Sequence, residues 1–275
     1  MRHLLSLECE GEVLGATLDS ASGGTGMLIV TGGSQTRIGS HRLFERLAES
    51  LAARGFPCLR FDRRGVGDSE GEDPGWRDSR ADILAAIAGF RSESSLDAIV
   101  GFGLCDGASA LALHGGSLGL DGLILVNPWL VEAEAGEPPA AAVKDHYRKQ
   151  LTSLAGWKKL LSGSVSFAKL FKGLRRIVTP RAPGLAEILA RALRASAIPV
   201  ELVLARGDAT AIGAHAEWRS PRFAGLRAST TSFIESDSHT FARPGDFAAL
   251  LEACVAALER AVQAAAEASN SASAR

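Results

Sequence analysis

The chain has 275 residues, 46% of them hydrophobic, with 30 basic against 31 acidic side chains and a formal net charge of −1. That is enough apolar material for one large core or two small ones, and the near-neutral balance gives no basis for nucleic-acid binding. No apolar run reaches the roughly 18 residues that cross a bilayer, and Glu8 follows the start too closely for a signal peptide, so a cytoplasmic setting is expected.

In chain order, residues 3–9 and 12–18 read as two antiparallel strands joined at Glu10-Gly11. Residues 27–31 form a short buried strand, followed by Gly32-Gly33-Ser34. Leu43, Phe44, Leu47 and Leu51 carry helical periodicity over 41–54, with Gly55 as the stop signal. Residues 56–62 form the next strand, and Ile83, Leu84, Ile87 and Phe90 mark a helix over 82–90. Strand 97–102, helix 106–114 and strand 121–126 continue the rhythm. A helix-rich insertion at 129–195 interrupts it, after which 200–205 and 230–235 are the last two strands. A final helix runs from about residue 244 to past Leu258, and the Ala/Ser-rich stretch 263–275 has no apolar stripe and reads as a disordered tail. Such alternation predicts an α/β protein with a mostly parallel central sheet flanked by helices.

The most informative stretch is 97–110, where an apolar run ends in Gly103-Leu104-Cys105-Asp106-Gly107 and passes at once into small, helix-compatible residues. Gly-x-Cys-x-Gly at a strand-to-helix junction resembles the nucleophile elbow of α/β-hydrolases, with cysteine in place of serine. A side chain held on so sharp a turn needs small neighbours on both sides. The N-terminal end of the following helix is expected to favour thiolate and to lower the Cys105 pKa below about 8.5. A nucleophile needs a base, and the base an orienting acid, which in this fold follow it in the order acid, then histidine. Asp208 lies just beyond the strand at 200–205, and His239 lies between the last strand and the final helix. Asp237 is a second candidate acid, set back by its closeness to His239 in sequence. The backbone N–H groups of Asp106 and of Gly33 are the candidate oxyanion hole, with Ser34 one residue along as the alternative to Gly33.

Phe61-Asp62-Arg63-Arg64-Gly65-Val66-Gly67-Asp68-Ser69 resembles the D-x-R-G-x-G-x-S segment of many α/β-hydrolases, and Asp62 and Arg63 are read as bracing that loop. Together with the elbow, Asp208 and His239, the resemblance spans nearly the whole chain. More narrowly, residues 30–42, the elbow, Leu125-Val126-Asn127-Pro128-Trp129 and Trp157-Lys158-Lys159-Leu160-Leu161 resemble the exosortase A system-associated hydrolases of exopolysaccharide-producing bacteria. The resemblance implies an α/β-hydrolase core over 1–128 and 196–262, a helical cap over the active site at 129–195, and a protein encoded beside polysaccharide-export machinery. The Cys-His-Asp set is also similar to that of dienelactone hydrolases. One departure is Thr31-Gly32, where the superfamily often has His-Gly.

Cys9, Cys58 and Cys254 read as small buried hydrophobes, and neither the cysteines nor His3, His41, His114, His146 and His215 show metal-ligand spacing, so no metal and no cofactor are expected. Gly101-Phe102-Gly103 lacks the third glycine of a dinucleotide loop, and no Walker A segment exists. Residues 144–181 hold ten basic side chains against one acid, Asp145, interleaved with apolar residues. Such a stretch can receive a negatively charged acyl thioester or touch an anionic membrane surface, or simply be a cap with a solvated basic face. Two functions follow: an esterase or thioesterase acting on a small-molecule acyl substrate through Cys105, His239 and Asp208, or a catalytically silent accessory module of the same fold.

Overall fold

The structure is a computed structural model that describes residues 1–131, 184–196, 198–226 and 229–273, with side chains described to residue 263 in the last helix. The chain opens on a hairpin, β1 (Arg2–Cys9) and β2 (Glu12–Asp19), paired antiparallel from Arg2↔Asp19 to Cys9↔Glu12. Its two-residue turn puts both Glu10 and Gly11 at positive φ, 53° and 90°, as the twist of a tight hairpin requires. The remaining strands are β3 (Thr25–Val30), β4 (Cys58–Phe61), β5 (Ala98–Leu104), β6 (Gly122–Val126), β7 (Val200–Ala205) and β8 (Ser229–Ile234). They join the hairpin in one sheet of order β1-β2-β4-β3-β5-β6-β7-β8. β2 meets β4 antiparallel, and every pairing from β4 through β8 is parallel.

The central strands β3, β4, β5 and β6 are buried at every residue, as strands covered on both faces must be. On one face lie α2 (Arg80–Glu93), α3 (Asp106–His114) and α4 (Leu185–Ser196), with Ile83, Phe90, Leu111 and Leu189 in a single apolar cluster. On the other lie α1 (Leu43–Ala52) and α6 (Asp246–Ser273), with Phe44, Leu47, Leu250 and Leu258 packed against Met27, Ile29 and Phe102. α1 ends where expected: Gly55 takes φ 95° and the chain turns back with the Phe56 N–H on the Leu51 carbonyl, 3.0 Å. Cys9, Cys58 and Cys254 are all buried among these side chains.

Three elements depart from the sequence expectations. α4 overlaps the stretch read as the cap, 129–195, yet Leu185, Leu189, Ala190 and Leu193 bury a helical stripe in the core cluster, so it is a core helix. α5 (Ala209–Trp218) was not anticipated, because its alanine-rich sequence carries no large apolar stripe. α6 continues to Ser273, where residues 263–275 were read as a disordered tail. Alanine is the best helix former, and extending a helix already nucleated costs far less than starting one. The basic stretch at 144–181, and with it the proposed cap surface, lies outside the described residues. Among the described residues, no helix is long and apolar enough to cross a membrane.

Candidate active site

Parallel strands deliver their C-terminal ends to one edge of the sheet, the usual place for chemistry in such folds. Gly33 follows β3, Arg63 follows β4, Cys105 follows β5, Asn127 follows β6, Asp208 follows β7 and His239 follows β8.

Cys105 sits at φ 58°, ψ −123°, between the last residue of β5 and the first of α3. This is a sparsely populated conformation for a residue with a side chain, costing about 1–3 kcal/mol that the surroundings must over-determine. They do so through the backbone. The Cys105 N–H donates to the Val126 carbonyl at 3.0 Å, and its carbonyl accepts from the Trp129 N–H at 3.2 Å. The flanking glycines are required: a Cβ on Gly103 would lie 2.6 Å from the Ala108 nitrogen, and one on Gly107 would lie 2.5 Å from the Val30 carbonyl oxygen. Helix and strand pass so close that no side chain fits between them.

The sulfur is not the depressed thiolate that the helix terminus alone predicts. Burial pushes the Cys105 thiol up to about 11; the Asp106 and Asp208 charges add to the rise, and a hydrogen bond from the Asp106 backbone N–H offsets part of it. The expectation of a pKa below the free value is therefore overturned. A carboxylate on the first residue of α3 opposes the helix field at the sulfur.

Asp208 and His239 are brought together. Asp208 caps α5, its Oδ2 accepting the Ala211 N–H at 2.8 Å, and the same oxygen lies 3.1 Å from His239 Nδ1. Asp237 turns away and pairs with Arg243. Asn127 ties the His239 loop to the end of β7. Its Nδ2 donates to the His239 carbonyl at 3.1 Å, its Oδ1 accepts the Ala205 N–H at 2.8 Å, and its own N–H reaches the Val203 carbonyl at 3.0 Å. The side chain is fully buried and the residue holds φ 41°, tolerable for asparagine. Asn127 was not singled out as a site residue; its only signal was an Asn-Pro step directly after a buried strand. Asn127→Ala strands the buried Ala205 N–H, so it should lower stability by about 1–3 kcal/mol in urea unfolding and release the His239 loop.

The predicted oxyanion donors are arranged differently from expectation. The Asp106 N–H faces the sulfur, but the Gly33 N–H is occupied, donating to Asp106 Oδ1 at 2.6 Å. Ser34 is the next residue of the same turn, which the Gln35 N–H closes on the Gly32 carbonyl at 3.1 Å. Behind it, Arg63, 2% exposed, donates from Nη2 to the Gly33 carbonyl, while its Nε and Nη1 have no partner among the described residues. Asp62 accepts from Arg37 and from the Asp68 N–H, so both residues brace the loop as anticipated.

Residues 27–261 match the sequence model described as Alpha/beta hydrolase family. No match was found among curated protein sequences. Among solved structures, the chain is similar to DcsB in complex with a substrate analogue, at TM-score 0.64 and 16% identity over 94% of this chain and 99% of that one. It is similar to Est1E from Butyrivibrio proteoclasticus with bound ferulic acid, at 0.63 and 15% over 94% and 99%. It also resembles the thioesterase domain of the curacin biosynthetic pathway, at 0.56 and 18% over 92% and 98%. At these identities the likeness is one of fold.

Proposed function

The chain belongs to the alpha/beta hydrolase family, and from that premise we propose that it hydrolyses an ester or thioester carbonyl of a small acyl substrate through Cys105. The observation that carries this reading is the Asp208–His239 pair at 3.1 Å, at the same edge of the sheet as a cysteine on a strained elbow. With its proton on Nδ1 facing Asp208, the His239 ring offers Nε2 as the base. Because the resting sulfur is a thiol, His239 takes the proton as sulfur attacks the carbonyl carbon, and the carbonyl electrons move onto oxygen. Collapse expels the leaving group, which recovers the proton from His239. Water then attacks the acyl-enzyme by the same route and frees the thiol.

The bound ferulic acid of Est1E and the thioesterase domain favour an acyl carbonyl over other electrophiles. The link to exosortase and exopolysaccharide systems rests on the motif resemblance alone and is part of the same proposal, as are an anionic thioester and a membrane contact at the basic stretch. Phenyl esters and acyl thioesters should be turned over by the wild type and not by Cys105→Ala.

The raised thiol gives a separate expectation. Iodoacetamide should label Cys105 ahead of the three buried cysteines, and the rate should climb about tenfold per pH unit from pH 7 to 9, because only thiolate reacts. A plateau below pH 8 contradicts this assignment. One observation favours the silent accessory module instead: the Gly33 N–H is already taken by Asp106. No turnover of any ester or thioester by the folded protein would establish that alternative.

A further inference from the structure

We propose that Asp106 is a gate on the oxyanion site: its carboxylate holds the Gly33 N–H at rest, and a substrate carbonyl gains that donor only when the side chain swings aside. The inference rests on the reading of Cys105 as nucleophile and gives Asp106 a role beyond its backbone N–H.

Three observations carry it. The Asp106 Oδ1 to Gly33 N distance of 2.6 Å is that of a charge-assisted hydrogen bond between groups 73 residues apart in sequence. The partner backbone is held in place independently, since Arg63 grips the Gly33 carbonyl and the Gln35 N–H closes the turn on Gly32. The N–H direction is thus fixed, and the part free to move is the Asp106 side chain, which is only half-buried. Third, the Cα side of Gly33 is open, a Cβ built there meeting nothing within 4 Å, so the turn is not buried under other groups on that side. No covalent change is involved, only exchange of one acceptor for another on a single donor.

A displaced Asp106 carboxylate remains beside the reacting carbon, because its own backbone adjoins Cys105. It therefore disfavours acyl groups that carry a negative charge near the carbonyl, and it makes Asp106 a specificity-determining residue. Neutral acyl groups pass the gate; succinyl-type groups bring a second negative charge up to that of Asp106.

The test uses the full chain with p-nitrophenyl acetate and mono-p-nitrophenyl succinate. A free oxyanion donor is worth about 10²–10³ in kcat, so partial relief of the gate in Asp106→Ala should raise kcat on acetate about tenfold with little change in KM. Asp106→Asn keeps an acceptor for Gly33 but loses the charge; it should narrow the acetate-to-succinate preference about tenfold while gaining less in kcat. The Gly33 amide, followed by NMR hydrogen exchange, should exchange faster in Asp106→Ala than in wild type. Unchanged or reduced kcat in a folded Asp106→Ala, or an unchanged Gly33 exchange rate, overturns the gate. The exchange measurement needs no turnover, so failure of the gate is distinguishable from failure of the hydrolase reading, which Cys105→Ala decides.

Discussion

His239→Ala should lower turnover of an activated ester by about 10³–10⁴ at pH 7, and the loss should shrink by about tenfold for each unit of pH rise. The size follows from the sulfur. A thiol at about 11 is ionised to roughly one part in 10⁴ at neutral pH, so without a base the attacking species is scarce by that factor. Raising the pH supplies thiolate from solvent and bypasses the missing imidazole. Asp208→Asn provides the companion result. Asparagine caps a helix about as well as aspartate, so α5 and the folded state should be kept, whereas the charge that orients His239 Nδ1 is lost and kcat should fall by about 10²–10⁴. Steady-state kinetics between pH 6 and 10 on both variants checks this. A His239→Ala protein with the wild-type rate, or one whose deficit is independent of pH, contradicts the assigned roles.

Gly107→Ala should be a strongly damaging single-methyl change in the elbow. The added Cβ would lie 2.5 Å from the Val30 carbonyl oxygen, 2.9 Å from the Thr31 carbonyl carbon and 3.1 Å from the Gly32 nitrogen. All three are backbone atoms, and none can rotate away. The helix must back off the strand, at a cost of about 1–3 kcal/mol or more. That same motion displaces the loop carrying Gly33, so activity should fall further than stability does. Gly122→Ala is the matched control, since its Cβ would meet nothing closer than 3.8 Å and its φ is unexceptional. Urea midpoints for the two variants should differ by the full overpacking cost; equal midpoints would mean that the elbow is looser than its geometry.

The strands were legible because fully buried parallel strands are short apolar runs with turn signals at each end, and 27–31 or 121–126 has no other plausible use. α4 was misassigned for a complementary reason: it lies next to a long stretch without strand signals, and a helical stripe says which face is buried but not against what. α5 and the end of α6 lack the stripe altogether; a cap at Asp208 and alanine propensity make them helical. Within the site, chain order and loop position picked out Cys105, Asp208 and His239, and two of the three pair directly. The helix terminus beside Cys105 is visible in sequence, whereas the burial that does most to raise the thiol is not. The contact between Asp106 and Gly33 was equally hidden, since it joins a side chain to a backbone N–H across the β3–β5 pairing. Asn127 belongs with it: a buried asparagine acquires meaning only when both ends of its amide have partners.

The central claim is that the acyl group passes through the sulfur at position 105. Acid-quenching the enzyme during turnover of p-nitrophenyl acetate, followed by intact mass and peptide mapping, tests it most directly. The predicted result is one acetyl group per chain on the peptide containing Cys105, absent from Cys105→Ala. Acetyl on another residue, or undiminished turnover by Cys105→Ala, would contradict it.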